Sequence, residues 1–300
     1  MATPEFHVEP IPYDTGLAEL RAVREPVFVT EQGVPLELEW DELDPACHHV
    51  IARDADGHPI GTGRLTPEHR IGRMAVLPDW RGKGVGDALL RALLDEARRL
   101  GWREVTLHAQ VTAINFYARH GFLPYGARYD EAGIEHQSMR LLLDHANAVE
   151  TRDQALAAMI GVIAGTRRQL DIYSRDLDPG LLDHPDLITA LRQLATRRGE
   201  IRILVQDPAT PQRAHSALLS LAQRLPSAFQ FRAVEEPGDQ AYAPAYAASD
   251  AGGWYFRTLG HRFDGETRLN DRARSRQLQA TFDPVWERAR PCSEFRALGI

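Results

Sequence analysis

The chain has 300 residues, 43% of them hydrophobic and 26% charged, enough to bury two cores of ordinary size and incompatible with disorder. Its 35 Lys and Arg against 42 Asp and Glu give a formal charge of −7, which argues against a generic nucleic-acid binder. Cys47 and Cys292 stand far apart and outside any CxxC spacing, so neither a disulfide framework nor a cysteine-rich zinc site is indicated. The N-terminal residues show no basic region followed by an apolar core, and no stretch approaches the roughly 18 apolar residues of a membrane span. A cytoplasmic protein with no membrane partner is the expectation.

Charge is unevenly spread, with 15 basic against 23 acidic residues in 1–145 and 20 against 19 in 146–300. Residues 141–152 pass from an apolar strand-like run through polar residues into a new helical pattern, which puts a boundary and a short or rigid linker near 145–150. Two domains are expected, 1–145 and 150–300, in an α/β (α+β) two-domain protein.

In the first block, apolar spacing predicts a helix over 17–28 that Pro26 distorts or ends. Strands over 48–53 and 60–65 flank the turn signal Asp54-Ala-Asp-Gly57, and a third covers 70–76. A Gly-rich turn then leads into a helix over 85–100, stopped by Gly101. A strand over 105–109, a short helix over 112–120 and a closing hairpin ending in 137–143 complete the block. In the second block, helices over 152–165, 184–198 and 213–225 alternate with strands over 169–174, 200–205 and 229–233, an α/β layer pattern. A turn-rich portion, a strand over 253–258 and a helix over 275–290 follow.

The sharpest signal is Arg81-Gly82-Lys83-Gly84-Val85-Gly86, between a strand and a long amphipathic helix. Glycines let successive N–H groups turn toward one point, and a helix start adds orphan donors and its positive dipole end, which suits a pyrophosphate. A tight turn carrying two solvated cations is the plain alternative. The order G-x-x-x-x-G-K-[ST] of a P-loop is absent and the spacing is not G-x-G-x-x-G, so ATP and NAD are poor fits.

With Arg73-Met-Ala-Val76 before the turn and Asn115-Phe-Tyr-Ala-Arg-His-Gly-Phe122 after it, residues 5–143 resemble a GNAT-type acetyltransferase domain. In that family Arg-x-x-Gly-x-Gly is the acyl-CoA pyrophosphate loop, matched here by Arg81, Gly84 and Gly86. Residues 27–35, Asp41, Asp44 and residues 133–140 further resemble the small bacterial ElaA/YjcF-like group. The resemblance implies a mixed, mostly antiparallel sheet with helices and acetyl-CoA as the acyl donor. It implies that Met74, Ala75 and Val76 meet the pantetheine arm and that Gly82, Lys83, Gly84, Val85, Gly86 and Asp87 surround the pyrophosphate. Asn115 would contact the cofactor arm and Tyr117 would lie near the sulfur.

A phenol there could protonate the departing thiolate, so Tyr117 is the general-acid candidate; a tyrosine that merely packs a helix is its alternative. The acceptor amine must lose a proton, and Glu31 is the first candidate base, with His108 second. His108 and Gln110 alternate to one side of their strand. His49 and His136 are further candidates, and the histidines form no convincing metal set. Glu31, Glu37, Glu39, Asp41, Glu42 and Asp44 form an acidic segment that either draws a cationic acceptor, such as a small amine or basic peptide, or is a solvated loop.

Residues 152–290 loosely resemble the phospholipase D-like α/β fold in their strands over 170–174 and 201–205 and in residues 282–286. The H-x-K-x-x-x-x-D motif is missing: His215 is followed by Ser216 and Ala217, and Lys83 is the only lysine in the chain. A degenerate, non-catalytic domain follows from that resemblance. Arg257, His261, Arg262, Arg268, Arg272, Arg274 and Arg276, beside Trp254, Tyr255 and Phe256, either grip phosphate or stack on bases, binding a nucleic acid or a phosphoprotein, or pair as ordinary surface cations. The expected activity is acetyl transfer directly to an amine; the alternative is a CoA-sensing or protein- or nucleic-acid-binding scaffold without turnover.

Overall fold

The structure, a computed structural model, describes residues 5–131, 133–209, 217–292 and 295. It divides into two compact units, residues 1–111 with 126–144, and residues 112–125 with 145–300.

The first unit runs β1 (Phe6–Ile11), α1 (Tyr13–Arg24), β2 (His48–Asp54), β3 (Pro59–Leu65), β4 (Arg70–Val76), α2 (Val85–Arg99) and β5 (Glu104–Gln110). Segment 112–125, with α3 (Ile114–Ala118) and the short β6 (Leu123–Pro124), belongs to the other unit, and the first resumes with β7 (Tyr129–Glu131) and β8 (Ile134–Leu142). Its strands lie in the order β1-β2-β3-β4-β5-β8, with β7 also paired to β8. All these pairs are antiparallel except β4 with β5. The apolar spacing of α2 does what a helical period requires, burying Val85, Leu89, Leu90, Leu93, Leu94 and Ala97 on one side.

Pro26 changes the first helix without ending it. After α1 the chain widens into a π-helical turn over Glu25–Glu31, in which Gln32 N–H reaches the Val27 carbonyl, 3.2 Å away. Proline supplies no N–H and crowds the preceding turn, and a wider turn accommodates it. Glu31 therefore ends a helical turn, three residues past the end of the helix expected over 17–28. β1 was not expected: Pro10 and a single buried residue, Ile11, make it a poor strand by pattern.

The second unit continues with β9 (Asn147–Val149), α4 (Arg152–Gly165), β10 (Gln169–Ser174), α5 (Pro185–Thr196), β11 (Glu200–Val205), α6 (Ala217–Arg224) and β12 (Phe229–Ala233). Then come β13 (Ala245–Ser249), β14 (Trp254–Arg257), β15 (Gly265–Arg268), α7 (Arg272–Arg288) and β16 (Arg290–Pro291). The sheet order is β16-β12-β11-β10-β13-β14-β15-β9. β10, β11 and β12 are parallel, as helices between successive strands demand, and the flanking pairs are antiparallel. Asn147–Val149 pairs with β15, so part of the expected linker is a strand. Segment 112–125 is tied to this unit by the Gln154 side-chain amide, which donates to the Pro124 carbonyl at 2.9 Å. Tyr173, Tyr246, Trp254, Leu278, Phe282 and Trp286 fill the core under α7. His215 and the first residues of the helix expected over 213–225 lie outside the described residues.

Candidate active site

β4 and β5 pair only at Arg70↔Thr106 and Ile71↔Leu107 among the described residues, so the parallel ladder stops at Ile71. β4 goes on pairing with β3 on its other edge as far as Gly61↔Val76, through a bulge that gives β4 one extra residue near Arg73, whose φ is +50°. Met74, Ala75 and Val76 thus follow a bulge on a strand whose edge toward β5 has left the ladder.

Residues 77–84 then turn the chain into α2. Gly82 (φ +73°) and Gly84 (φ +87°) hold left-handed conformations that a side chain would oppose, and Gly84 caps α2, its carbonyl accepting from Ala88 N–H at 3.0 Å. Val85, Gly86 and Asp87 form the first helical turn, whose N–H groups have no acceptor within the helix. Arg81 anchors the turn: its Nε donates to the Val76 carbonyl at 3.0 Å, and its two terminal nitrogens donate to the two Glu31 oxygens at 2.8 and 2.6 Å. The Arg81 hydrogen bonds hold the Glu31 carboxyl below its ordinary range, which makes it a weaker base. The Lys83 ammonium lies over the Trp80 ring at 5.0 Å.

Next to Glu31, Gln32 accepts a hydrogen bond from the Gln110 amide at 2.9 Å, joining the π-helical turn to β5. His108 lies on the same side of β5 as Gln110, with its ring edge toward Tyr129 at 5.6 Å. Partial burial, then Arg70, lowers the His108 pKa and favours the neutral imidazole at pH 7. His136 stacks on Tyr129 and donates from Nδ1 to the Ile134 carbonyl at 2.8 Å.

The acidic segment is neither an open field nor a solvated loop throughout. Arg24, 1% exposed, donates to Asp44 at 2.8 Å and to Glu39, while Arg64, 4% exposed, donates to Asp44 and Asp41, both at 2.6 Å. Arg73 reaches Glu39 at 3.1 Å and the Leu38 carbonyl at 2.8 Å, and Trp40 lies 4.0 Å from the Arg24 guanidinium. Burial by itself raises the Asp44 carboxyl, but hydrogen bonds and charges of Arg24 and Arg64 outweigh it and bring the group below its ordinary value. For Glu39 burial prevails over Arg24 and Arg73, and its pKa rises. His49 is buried here too, its Nε2 donating to the Asp44 carbonyl at 2.8 Å, with burial lowering its pKa. Only Glu37 and Glu42 of this segment, besides Glu31, are exposed.

Asn115 and Tyr117 sit on α3 in the second unit. Asn115 is exposed, while Tyr117 packs edge-on against Phe116 and Phe122. Burial pushes the Tyr117 phenol up to about 12, so it is a protonated group at neutral pH.

The arginine-rich stretch is not one surface. Arg257 is buried, paired through both terminal nitrogens with Asp178 at 2.7 Å, and Arg262 pairs with Asp264 at 2.6 Å. Trp254 and Tyr255 are 4% and 1% exposed, so two of the three aromatics of the expected stacking platform lie in the core, while Phe256 is half-buried with the Arg274 guanidinium 4.9 Å from its ring.

Compared with known proteins, residues 23–143 match the acetyltransferase (GNAT) domain family. Over 121 residues the chain is 38% identical to the uncharacterized N-acetyltransferase YjcF of Bacillus subtilis, a match covering 39% of this chain and 86% of that protein. It is 35% identical over 131 residues to UPF0039 protein sll0451 of Synechocystis, covering 41% and 84%. The crystal structure of Escherichia coli ElaA aligns at 26% identity with a TM-score of 0.41, over 45% of this chain and 99% of that one. The chain belongs to the GNAT acetyltransferase family, through its N-terminal half, and is an acyltransferase by class. Residues 151–298 match a domain of unknown function, DUF7931, which lends no support to the phospholipase D-like resemblance. Among the described residues no helix is long and apolar enough to cross a membrane.

Proposed function

We propose that the chain moves the acetyl group of acetyl-CoA directly to the amine of a small molecule or basic peptide. The observation that carries this is the junction of β4 and α2: a strand edge released from its ladder at Ile71 runs into a turn whose left-handed glycines open a helix start. The chain's own residues fit such a substrate. The backbone of Met74, Ala75 and Val76 suits an extended amide-bearing arm paired like a strand, and the N–H groups of residues 82–87 suit a pyrophosphate. Asn115 is assigned to the cofactor arm by resemblance alone. The 38% identity to YjcF supports membership of the ElaA/YjcF-like group.

In the proposed step the amine nitrogen bonds to the thioester carbon and the carbon–sulfur bond breaks. The thiolate takes the Tyr117 proton, and the amine gives its own proton to a base. A phenol raised to about 12 holds its proton across the working range, as a general acid must. Between the base candidates electrostatics favour His108, neutral and partly exposed, over Glu31, which Arg81 engages. His108→Ala should then lower kcat by about 10²–10⁴-fold. The wild-type rate should rise as pH passes upward through the lowered His108 pKa and level off above it.

The test is thiol release from acetyl-CoA against a panel of small amines and basic peptides, with Tyr117→Phe in parallel. Amine-dependent release that falls in the variant supports both the transfer and the acid; equal release in the two proteins removes Tyr117 from the chemistry. Bound CoA with no release for any amine favours the sensing scaffold.

A further inference from the structure

We propose that the second unit holds a small phosphate-bearing ligand in a recess between the 249–252 turn and the start of α7. The recess has a volume of about 200 Å³, and its walls include the side chains of Arg167, Arg272 and Arg276 together with Asp250, Gly252 and Ser275. The three arginine side chains make no ion pair or hydrogen bond with any group among the described residues, and all three are exposed. Other arginines of this unit are engaged by carboxylates, Arg202 by Asp171 and Asp283, Arg257 by Asp178, Arg288 by Asp239 and Arg290 by Glu235, and what sets Arg167, Arg272 and Arg276 apart from the remaining surface arginines is that they line one recess. Three unpaired guanidinium groups around one concavity repel one another, and an anion relieves that repulsion.

The single carboxylate in the wall is already engaged. Asp250 accepts the backbone N–H groups of Arg167 and Arg168, each at 2.9 Å, which fixes the turn that presents Arg167. The opposite wall is fixed as well. Ser275 Oγ donates to the Ser249 carbonyl at 2.7 Å, Ser249 Oγ accepts from Ala251 and Gly253 N–H, both at 3.2 Å, and Asp271 N–H donates to the Gly252 carbonyl at 3.0 Å. Gly252 has a φ of +107°, and a Cβ there would stand 2.8 Å from the Arg272 Cγ, so the absence of a side chain lets the Arg272 stem cross the turn. The recess is thus set by backbone hydrogen bonds before any ligand enters, and the arginine forks supply the mobile part.

Size and valence narrow the ligand. Pockets for drug-sized molecules span roughly 300–1,000 Å³, so this one suits a phosphoryl group with a few attached atoms rather than a nucleotide. Three forks match the oxygens of a phosphate dianion, whereas a carboxylate offers two oxygens and one charge. Inorganic phosphate and a small phosphomonoester share this chemistry.

The experiment titrates the full-length chain with inorganic phosphate, and separately with phosphoserine, at constant ionic strength, by calorimetry. The wild type should bind one equivalent saturably, and R272Q/R276Q should weaken binding by at least about tenfold, since each lost charge-assisted contact costs about that factor. R167Q, on a separate wall, should weaken it as well, with circular dichroism unchanged in both proteins. Tighter phosphoserine identifies an esterified ligand, and equal affinities identify the free anion; either supports the site. Affinity unchanged in R272Q/R276Q would place the phosphate elsewhere and overturn the proposal. So would the lack of saturable phosphate binding, or single-stranded RNA that binds and is lost in R272Q/R276Q while phosphate does not bind.

Discussion

Arg24, Arg64 and Arg73 in the first unit and Arg167, Arg272 and Arg276 in the second are the same residue in opposite circumstances. The first three are tied to Glu39, Asp41 and Asp44, and two of them are almost wholly out of solvent. The second three are exposed, lack partners among the described residues, and line a concavity. A buried arginine engaged by carboxylates is closed to a ligand, and its removal strands the partners. An exposed, unpaired arginine contributes little to the fold and keeps all its donors for something else. Pairing and burial, rather than local charge density, separate structure from function here.

That contrast can be broken by substitution. Arg24→Met should cost about 3–5 kcal/mol in chemical denaturation, because it leaves Glu39 and Asp44 buried without their charge partner; a loss below about 1 kcal/mol would mean that the cluster is solvated after all. A smaller effect comes from His49. Its folded pKa lies below the ordinary 6.5, so the folded state binds the proton less readily than the unfolded chain, and its contribution to stability is complete above pH 6.5 and is lost as pH falls below that value. One such group gives a slope of at most about 1.4 kcal/mol per pH unit, and His49→Gln, which keeps a donor for the Asp44 carbonyl, should flatten it in urea titrations between pH 7.5 and 5.5. Glu31→Gln breaks an exposed pair with Arg81 and should change stability by less than about 1 kcal/mol. The smallest effect belongs to R272Q/R276Q, within about 0.5 kcal/mol of wild type; a larger loss would show that these arginines support the fold.

Much of the site was legible in the chain. The Arg81–Gly86 turn, the strand before it and the helix after it follow from glycine spacing flanked by two distinct apolar periods, both local signals. The buried charge cluster was not, because its partners lie 15 to 34 residues apart and a run of acidic residues looks the same whether or not arginines close over it. One clue was present: Arg64 stands in β3, Pro59–Leu65, whose other residues are small or apolar, and a cation in such a strand needs a carboxylate. β13 escaped notice because Ala-Tyr-Ala-Ala-Ser is a weak strand former, fully buried only through its neighbours. The recess was invisible because Arg167 joins Arg272 and Arg276 only in the folded unit.

The central claim is that the turn after β4 receives the acyl-CoA, and calorimetric titration of CoA into wild type and Gly84→Val tests it most directly. Gly84 holds a φ of +87° at the cap of α2, a conformation that a β-branched residue resists. One CoA should bind the wild type and none should bind the folded variant measurably; equal affinity in the two proteins would contradict the account.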